Sequence, residues 1–125
     1  MTQHGNDAYA AFQDGSRLLD SNNPHAAVIA LEHARELEPA KASVREALAR
    51  AYFRSGRFDA AEQEFHATLE IEPVNDYAHY GIGLCRLRVG DRAVARGHLR
   101  QATVMRPDNA DYLAALERAA DPDTA

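Results

Sequence analysis

Six histidines and one cysteine are the side chains of this sequence best suited to catalysis or metal binding. His4, His25, His33, His66, His79 and His98 never recur four apart, and we read no cysteine or carboxylate as completing a ligand set with them. No metal centre is expected from that spacing. Cys85 is alone, so it can form no disulfide within the chain and has no second thiolate with which to hold a metal. Arg86 and Arg88 stand close to it in sequence and would lower its pKa, yet a lone helical cysteine is expected to be inert filler. Gly81-Ile82-Gly83 lacks the third glycine and the preceding strand that dinucleotide binding needs, and is better read as close helix packing. No Gly-x-Ser-x-Gly elbow and no phosphate loop occurs. The reading is a protein without catalysis and without a cofactor.

The chain has 125 residues, 46% hydrophobic and 26% charged, which suits one globular domain large enough to bury a core without staples. No apolar run approaches the length of a membrane helix. The N-terminal residues Met1 to Asp7 lack the basic and apolar segments of a signal peptide, so a cytoplasmic location is expected. Lys41 is the single lysine against thirteen arginines, a bias that fits a GC-rich, bacterial genome. The net charge of −5 and the lack of a recognised motif argue against nucleic acid as a partner.

The elements that carry these residues repeat. Pro39, Pro73 and Pro107 are spaced by 34 residues. The same offset links Ala27, Ala61 and Ala95. It links the large Leu31, Phe65 and Leu99, and the tiny Gly15, Ala49 and Gly83. It also links Asn22, Gly56 and Gly90, all tolerant of a left-handed backbone. Such a period marks a repeat architecture. Each unit reads as two helices. In the second unit Leu48, Ala49, Tyr52 and Phe53 recur at helical spacing up to Gly56. Ala61, Phe65, Thr68 and Leu69 then form one stripe that Pro73 ends. Asn23, Asp91 and either Asp108 or Asn109 are candidate helix caps. A last helix with Tyr112, Leu113 and Leu116 as its apolar face would cover the exposed end.

These columns resemble the tetratricopeptide repeat, whose pattern runs from a large residue through Leu-Gly, Tyr and Ala to an aromatic and Pro. Leu48-Ala49, Tyr52, Ala61, Phe65 and Pro73 carry the likeness best. Ala11, Arg45 and His79 depart from the Trp column, Asp14 from the Leu column, and Arg86 from the Tyr column. The Arg86 stem is expected to pack while its guanidinium reaches water. The resemblance implies an all-α, right-handed superhelix of seven helices. Its parts would be a tail over 1–7, repeats over 8–41, 42–75 and 76–109, a capping helix over 110–120 and a tail over 121–125.

The resemblance also implies that the first helix of each unit lines a concave groove holding a peptide or helix of another protein. By the 3.6-residue period the groove residues would be Tyr9, Phe12, Ser16, Leu19 and Asp20 in the first unit. They would be Ser43, Glu46, Arg50, Phe53 and Arg54 in the second, and Tyr77, Tyr80, Leu84, Leu87 and Arg88 in the third. Aromatic and arginine side chains dominate binding hot spots. Leu19, Phe53, Leu84 and Leu87 could equally serve as core. Replacing Tyr80 and Arg54 together is expected to abolish capture without affecting melting. Some relatives grip a chaperone's C-terminal carboxylate with basic and amide side chains. The matching positions here, Phe12, Ser16, Ala47, Tyr77 and Gly81, supply neither.

Charge is uneven. Asp59, Glu62, Glu64, Glu70, Glu72 and Asp76 form an acidic run, while Arg92, Arg96 and Arg100 recur every four residues. The stripe reads first as a solvated face. The alternative is a docking strip for an acidic partner or for the acidic run of a second copy, so either a monomer or a weak homo-oligomer is compatible.

Overall fold

A computed structural model describes residues 2–120 of the chain, and their side chains from Asn6 onward. Seven helices follow one another among the described residues: α1 (Thr2–Asp20), α2 (Pro24–Leu37), α3 (Ala42–Arg54), α4 (Phe58–Ile71), α5 (Asp76–Arg88), α6 (Arg92–Met105) and α7 (Ala110–Arg118). Three residues join the helices within a pair and four join successive pairs. Links that short make sequence neighbours antiparallel. Contacts run α1 to α2, α3 to α4 and α5 to α6, with α2–α3, α4–α5 and α6–α7 joining the pairs.

The helix ends follow local rules. Asn22, Gly56 and Gly90 take positive φ values of 61°, 81° and 86°, which lets the chain reverse within each pair. Pro24 occupies the first turn of α2, where its missing N–H is not needed. Asp91 and Asn109 accept hydrogen bonds from the amides of Val94 and Tyr112. Asn23 stands at the N-cap of α2 but makes no side-chain cap bond, whereas Asn75 caps α5 through the Ala78 amide at 2.8 Å.

The repeating columns form the core. Ala27, Ala61 and Ala95 are fully buried beside Leu31, Phe65 and Leu99. A Cβ built on Gly15 would lie 2.4 Å from Leu31, and one on Gly83 would lie 2.5 Å from Leu99. The tiny residue of each first helix therefore receives the large residue of the second. In the middle repeat Ala49 keeps its methyl, and the Phe65 ring runs on to Gly81 of α5, where a Cβ would stand 2.3 Å away.

Polar ties lock the pairs together. Glu64 is buried between Arg35 of α2, at 2.5 Å, and Arg45 of α3, at 3.0 Å. The Tyr52 hydroxyl donates to Glu32 at 2.5 Å, and the Tyr112 hydroxyl to Asp76 at 2.6 Å. Three carboxylates of the acidic run, Glu62, Glu64 and Asp76, are thus engaged within the chain. The arginine stripe is likewise divided, because Arg96 donates to the Ala119 carbonyl at 3.0 Å while Arg92 and Arg100 are exposed.

Three expectations need correction, and one left open, Leu19, is decided. The first helix already runs from Thr2, through most of the segment read as a tail over 1–7. Leu19 is 1% exposed and joins Ala27, Val28 and Leu31 in the core rather than the groove. It sits in the last turn of α1, where the reversal at Asn22 brings α2 back over it. Leu113 points to solvent, because Tyr112, Leu116 and Ala119 recur at i, i+4 and i+7 and place it on the flank of their stripe. Arg86 does not send its guanidinium simply to water, since Nε and Nη2 donate to Glu62 at 3.0 and 2.7 Å. The tail read over 121–125 lies outside the described residues.

Candidate functional site

Setting aside Leu19, Asp20, Ser43 and Leu87, the odd-numbered helices α1, α3 and α5 carry eleven groove candidates, each at least partly exposed. Seven of them come together. Arg50, Phe53 and Arg54 of α3 and Tyr77 and Leu84 of α5 line a cavity of about 140 Å³ floored by Phe65 and Gly81. Phe53 and Leu84 also border a wider recess of about 410 Å³ with Tyr80, Leu87, Arg88, Arg92 and Arg118. The two spaces form one continuous site between the second and third repeats.

Aromatic rings give this site a rigid wall. Tyr77 packs on Phe65 with 6.1 Å between centroids and on Tyr80 at 5.8 Å. Tyr80 in turn stacks on Tyr112 at 4.7 Å. Melting of a Tyr80 variant is therefore not independent of the groove, and Tyr80 is a poor choice for separating binding from stability. Burial, with a further push from Glu46, raises the pKa of Tyr77 against the opposing pull of Arg50, and burial together with Asp111 raises that of Tyr80. Both phenols stay protonated and can donate to a guest.

Arginine gives the site its charge. Arg88 lies over Phe53 and Phe58 at 5.5 and 5.6 Å from their centroids, which leaves its guanidinium edge free. Arg54 is exposed and reaches the Asn22 amide oxygen at 3.2 Å. Among the described residues, none of Arg50, Arg54, Arg88, Arg92 and Arg118 forms an ion pair with a carboxylate. The other arginines of the seams are spent on Glu62, Glu64 and Asp76, so these five are the uncompensated ones around the aromatic wall.

The remaining four candidates lie elsewhere. Tyr9 and Phe12 border a separate crevice of about 40 Å³ with Glu38, Lys41 and Val44. Ser16 is half-buried on α1, and Glu46 accepts a hydrogen bond from Asn75 at 3.2 Å. Sequence reasoning missed Arg92 and Arg118 as wall residues, because both belong to helices outside the first-helix set. Phe65 and Gly81 were also missed as floor. Their only signal was the large side chain of the 34-residue column and a glycine inside a helix.

Cys85 departs from expectation in its chemistry. It is 1% exposed, and burial, with a further push from Glu62, carries its thiol up to about 12 despite Arg86. It should therefore resist a thiol-specific disulfide reagent at neutral pH and react only once denaturant unfolds the chain. Rapid labelling of the native protein would contradict this.

Three histidines that sequence spacing scatters are gathered by the fold. His79 of α5 stacks on His98 of α6, and His66 of α4 stands edge-on to His98. Glu62 lies 3.5 Å from His66. No group of three or more His, Cys, Asp or Glu among the described residues is placed to hold a metal ion.

Known proteins agree with this architecture. The first tetratricopeptide domain of Spaghetti (RPAP3), bound to an HSP90 peptide, superposes with a TM-score of 0.89 at 16% identity, covering 96% of this chain and 95% of that one. The Arabidopsis OM64 domain gives 0.87 at 23% identity over 90% and 93%. The Yersinia enterocolitica secretion chaperone SycD, with a peptide of the translocator YopD, gives 0.80 at 14% identity over 89% and 90%. At these identities the likeness is one of fold. In sequence, a 57-residue stretch is 40% identical to cellulose synthase 1 operon protein C of Komagataeibacter xylinus, spanning 46% of this chain but 4% of that protein. A tetratricopeptide repeat model matches residues 18–84, more than half of the chain. No described helix is long and apolar enough to cross a membrane. With three helix pairs, a closing helix and a family match over more than half of its length, the chain belongs to the tetratricopeptide repeat family.

Proposed function

We propose that this protein holds an acidic segment of a partner protein in the groove between its second and third repeats, with one large apolar side chain of that segment entering the cavity over Phe65 and Gly81. The observation that carries this reading is the set of five arginines that have no carboxylate partner among the described residues, around a wall of Phe53, Tyr77 and Tyr80. Arginine beside an aromatic surface binds carboxylates with two donors and loses little rotamer freedom in doing so. The cavity of about 140 Å³ suits one side chain and not a cofactor. Peptide complexes of the Spaghetti domain and of SycD support the class of ligand. A chaperone tail is disfavoured, because Phe12, Ser16, Ala47, Tyr77 and Gly81 bring no basic or amide group to the positions of a carboxylate clamp.

Selection from a random displayed-peptide library tests this. Peptides rich in Asp and Glu around a large apolar residue are expected to emerge, and their binding should weaken as salt rises. Replacing both exposed arginines, Arg54→Ala with Arg88→Ala, should weaken binding by about tenfold or more and leave melting almost unchanged. A basic consensus, or undiminished binding by the double variant, would overturn the reading.

A further inference from the structure

In the second repeat, Arg45 of α3 and Glu64 of α4 meet as an ion pair at 3.0 Å. Thirty-four residues further on, the same two places hold His79 and His98. Their Nδ1 atoms lie 3.1 Å apart, with the rings stacked at 5.3 Å and 29°. His66 of α4 stands edge-on to His98 at 6.0 Å. Where one repeat sets opposite charges face to face, the next sets two groups that carry the same charge when both are protonated. We propose that the His79–His98 pair makes the packing of α5 on α6 within the third repeat sensitive to acid.

The chemistry is a count of protons between two nitrogens. With one proton between the facing Nδ1 atoms, one ring donates and the other accepts. One further proton can go to the outer nitrogen of the donating ring and keep that bond, but once both rings are protonated two N–H groups and two positive charges face each other, and the stack must open. The groups acting on the pair are Glu62 and His66 from α4 and Arg86 from α5, while α6 supplies His98 itself. Glu62 alone favours protonation of His98, and its charge is shared with Arg86 at 2.7 Å. Burial first, and the neighbouring imidazoles second, hold both histidines below the ordinary range. The unfolded chain then binds more protons than the folded one. Stability is complete above the ordinary histidine pKa of about 6.5 and falls as the pH drops below it. Phe65 and Tyr77, which shape the groove, stand one and two residues from His66 and His79 in sequence.

Thermal melting at about pH 7.5 and pH 5.5 tests the proposal on three chains: the natural one, His98→Asn, and His79→Arg with His98→Glu, which copies the pair of the second repeat. Carboxylates common to all three cancel in the comparison. The natural chain should lose about 4 °C or more beyond the loss of either variant. Equal losses in all three would overturn the proposal. Should a variant fail to fold, NMR titration of the ring protons in the natural chain decides. Midpoints for both His79 and His98 below the ordinary value of about 6.5 support the pair, and two independent midpoints at that value refute it.

Discussion

Replacing Phe65 with alanine is expected to lower the stability of the domain by about 3–5 kcal/mol, the range for removing a buried aromatic ring. Phe65 is 2% exposed, and its ring spans from α4 to the backbone of α5 at Gly81. It also supports Tyr77 at 6.1 Å. The upper end of the range is favoured because the hole opens where two repeats meet. Gly81 has no side chain with which to fill it, and closing the gap would require α5 to slide against α4. The groove should suffer with the core, since the same ring is the floor of the cavity. Denaturant unfolding followed by helical circular dichroism measures the loss. A change below about 1.5 kcal/mol would mean that the joint collapses freely and that Phe65 does not hold the repeats in place. Phe65→Leu is a useful companion. Leucine is what the first and third repeats carry at this column, at Leu31 and Leu99. There it meets the glycine of its own pair, which the second repeat replaces with Ala49, so a leucine at 65 should leave Gly81 unsupported and recover only part of the loss.

The period of 34 residues was enough to find the helix pairs, because it is written in residues with a backbone reason to be there. Asn22, Gly56 and Gly90 are needed for positive φ, and Pro39, Pro73 and Pro107 forbid continuation. The first-helix rule likewise located Arg50, Phe53, Arg54, Tyr77, Tyr80, Leu84 and Arg88, since one face of a helix is fixed by its period. What the rule could not supply was which neighbours complete the wall. Arg92 and Arg118 reach the recess from α6 and α7, and this depends on how the last pair and the closing helix pack. The fate of charges was illegible for a related reason. A run of six carboxylates reads as a free acidic strip until Glu62, Glu64 and Asp76 are seen to face Arg86, Arg35, Arg45 and Arg106 across the seams. Arg86 and Arg88 do not lower the Cys85 thiol, because nearby arginines in sequence say nothing of burial, and burial outweighs them.

Those seam pairs lead to the second large effect. Converting Arg35 and Arg45 together to methionine should destabilise the domain by about 3–5 kcal/mol, because it leaves the Glu64 carboxylate without a counter-charge. Glu64 is 6% exposed, while the two arginines keep 29% and 23% of their side-chain surface in solvent. That asymmetry sets the direction of the result. Removing the glutamate with Glu64→Gln frees two guanidinium groups that can still reach water, so it should cost about 1–3 kcal/mol. Removing the arginines strands the member that water cannot reach. A triple variant that adds Glu64→Leu to the two methionines should recover most of the loss, since an apolar trio of similar volume needs no solvation. Urea unfolding of the four proteins checks the order, with the double variant lowest and the triple close to the natural chain. If the triple is as unstable as the double, the deficit lies in lost packing of the arginine stems and not in a stranded charge. The same contrast bears on the third repeat, where His79 and His98 replace Arg45 and Glu64. A seam that tolerates an apolar substitute needs no charge for its strength, which leaves the histidine pair free to serve as a point of control.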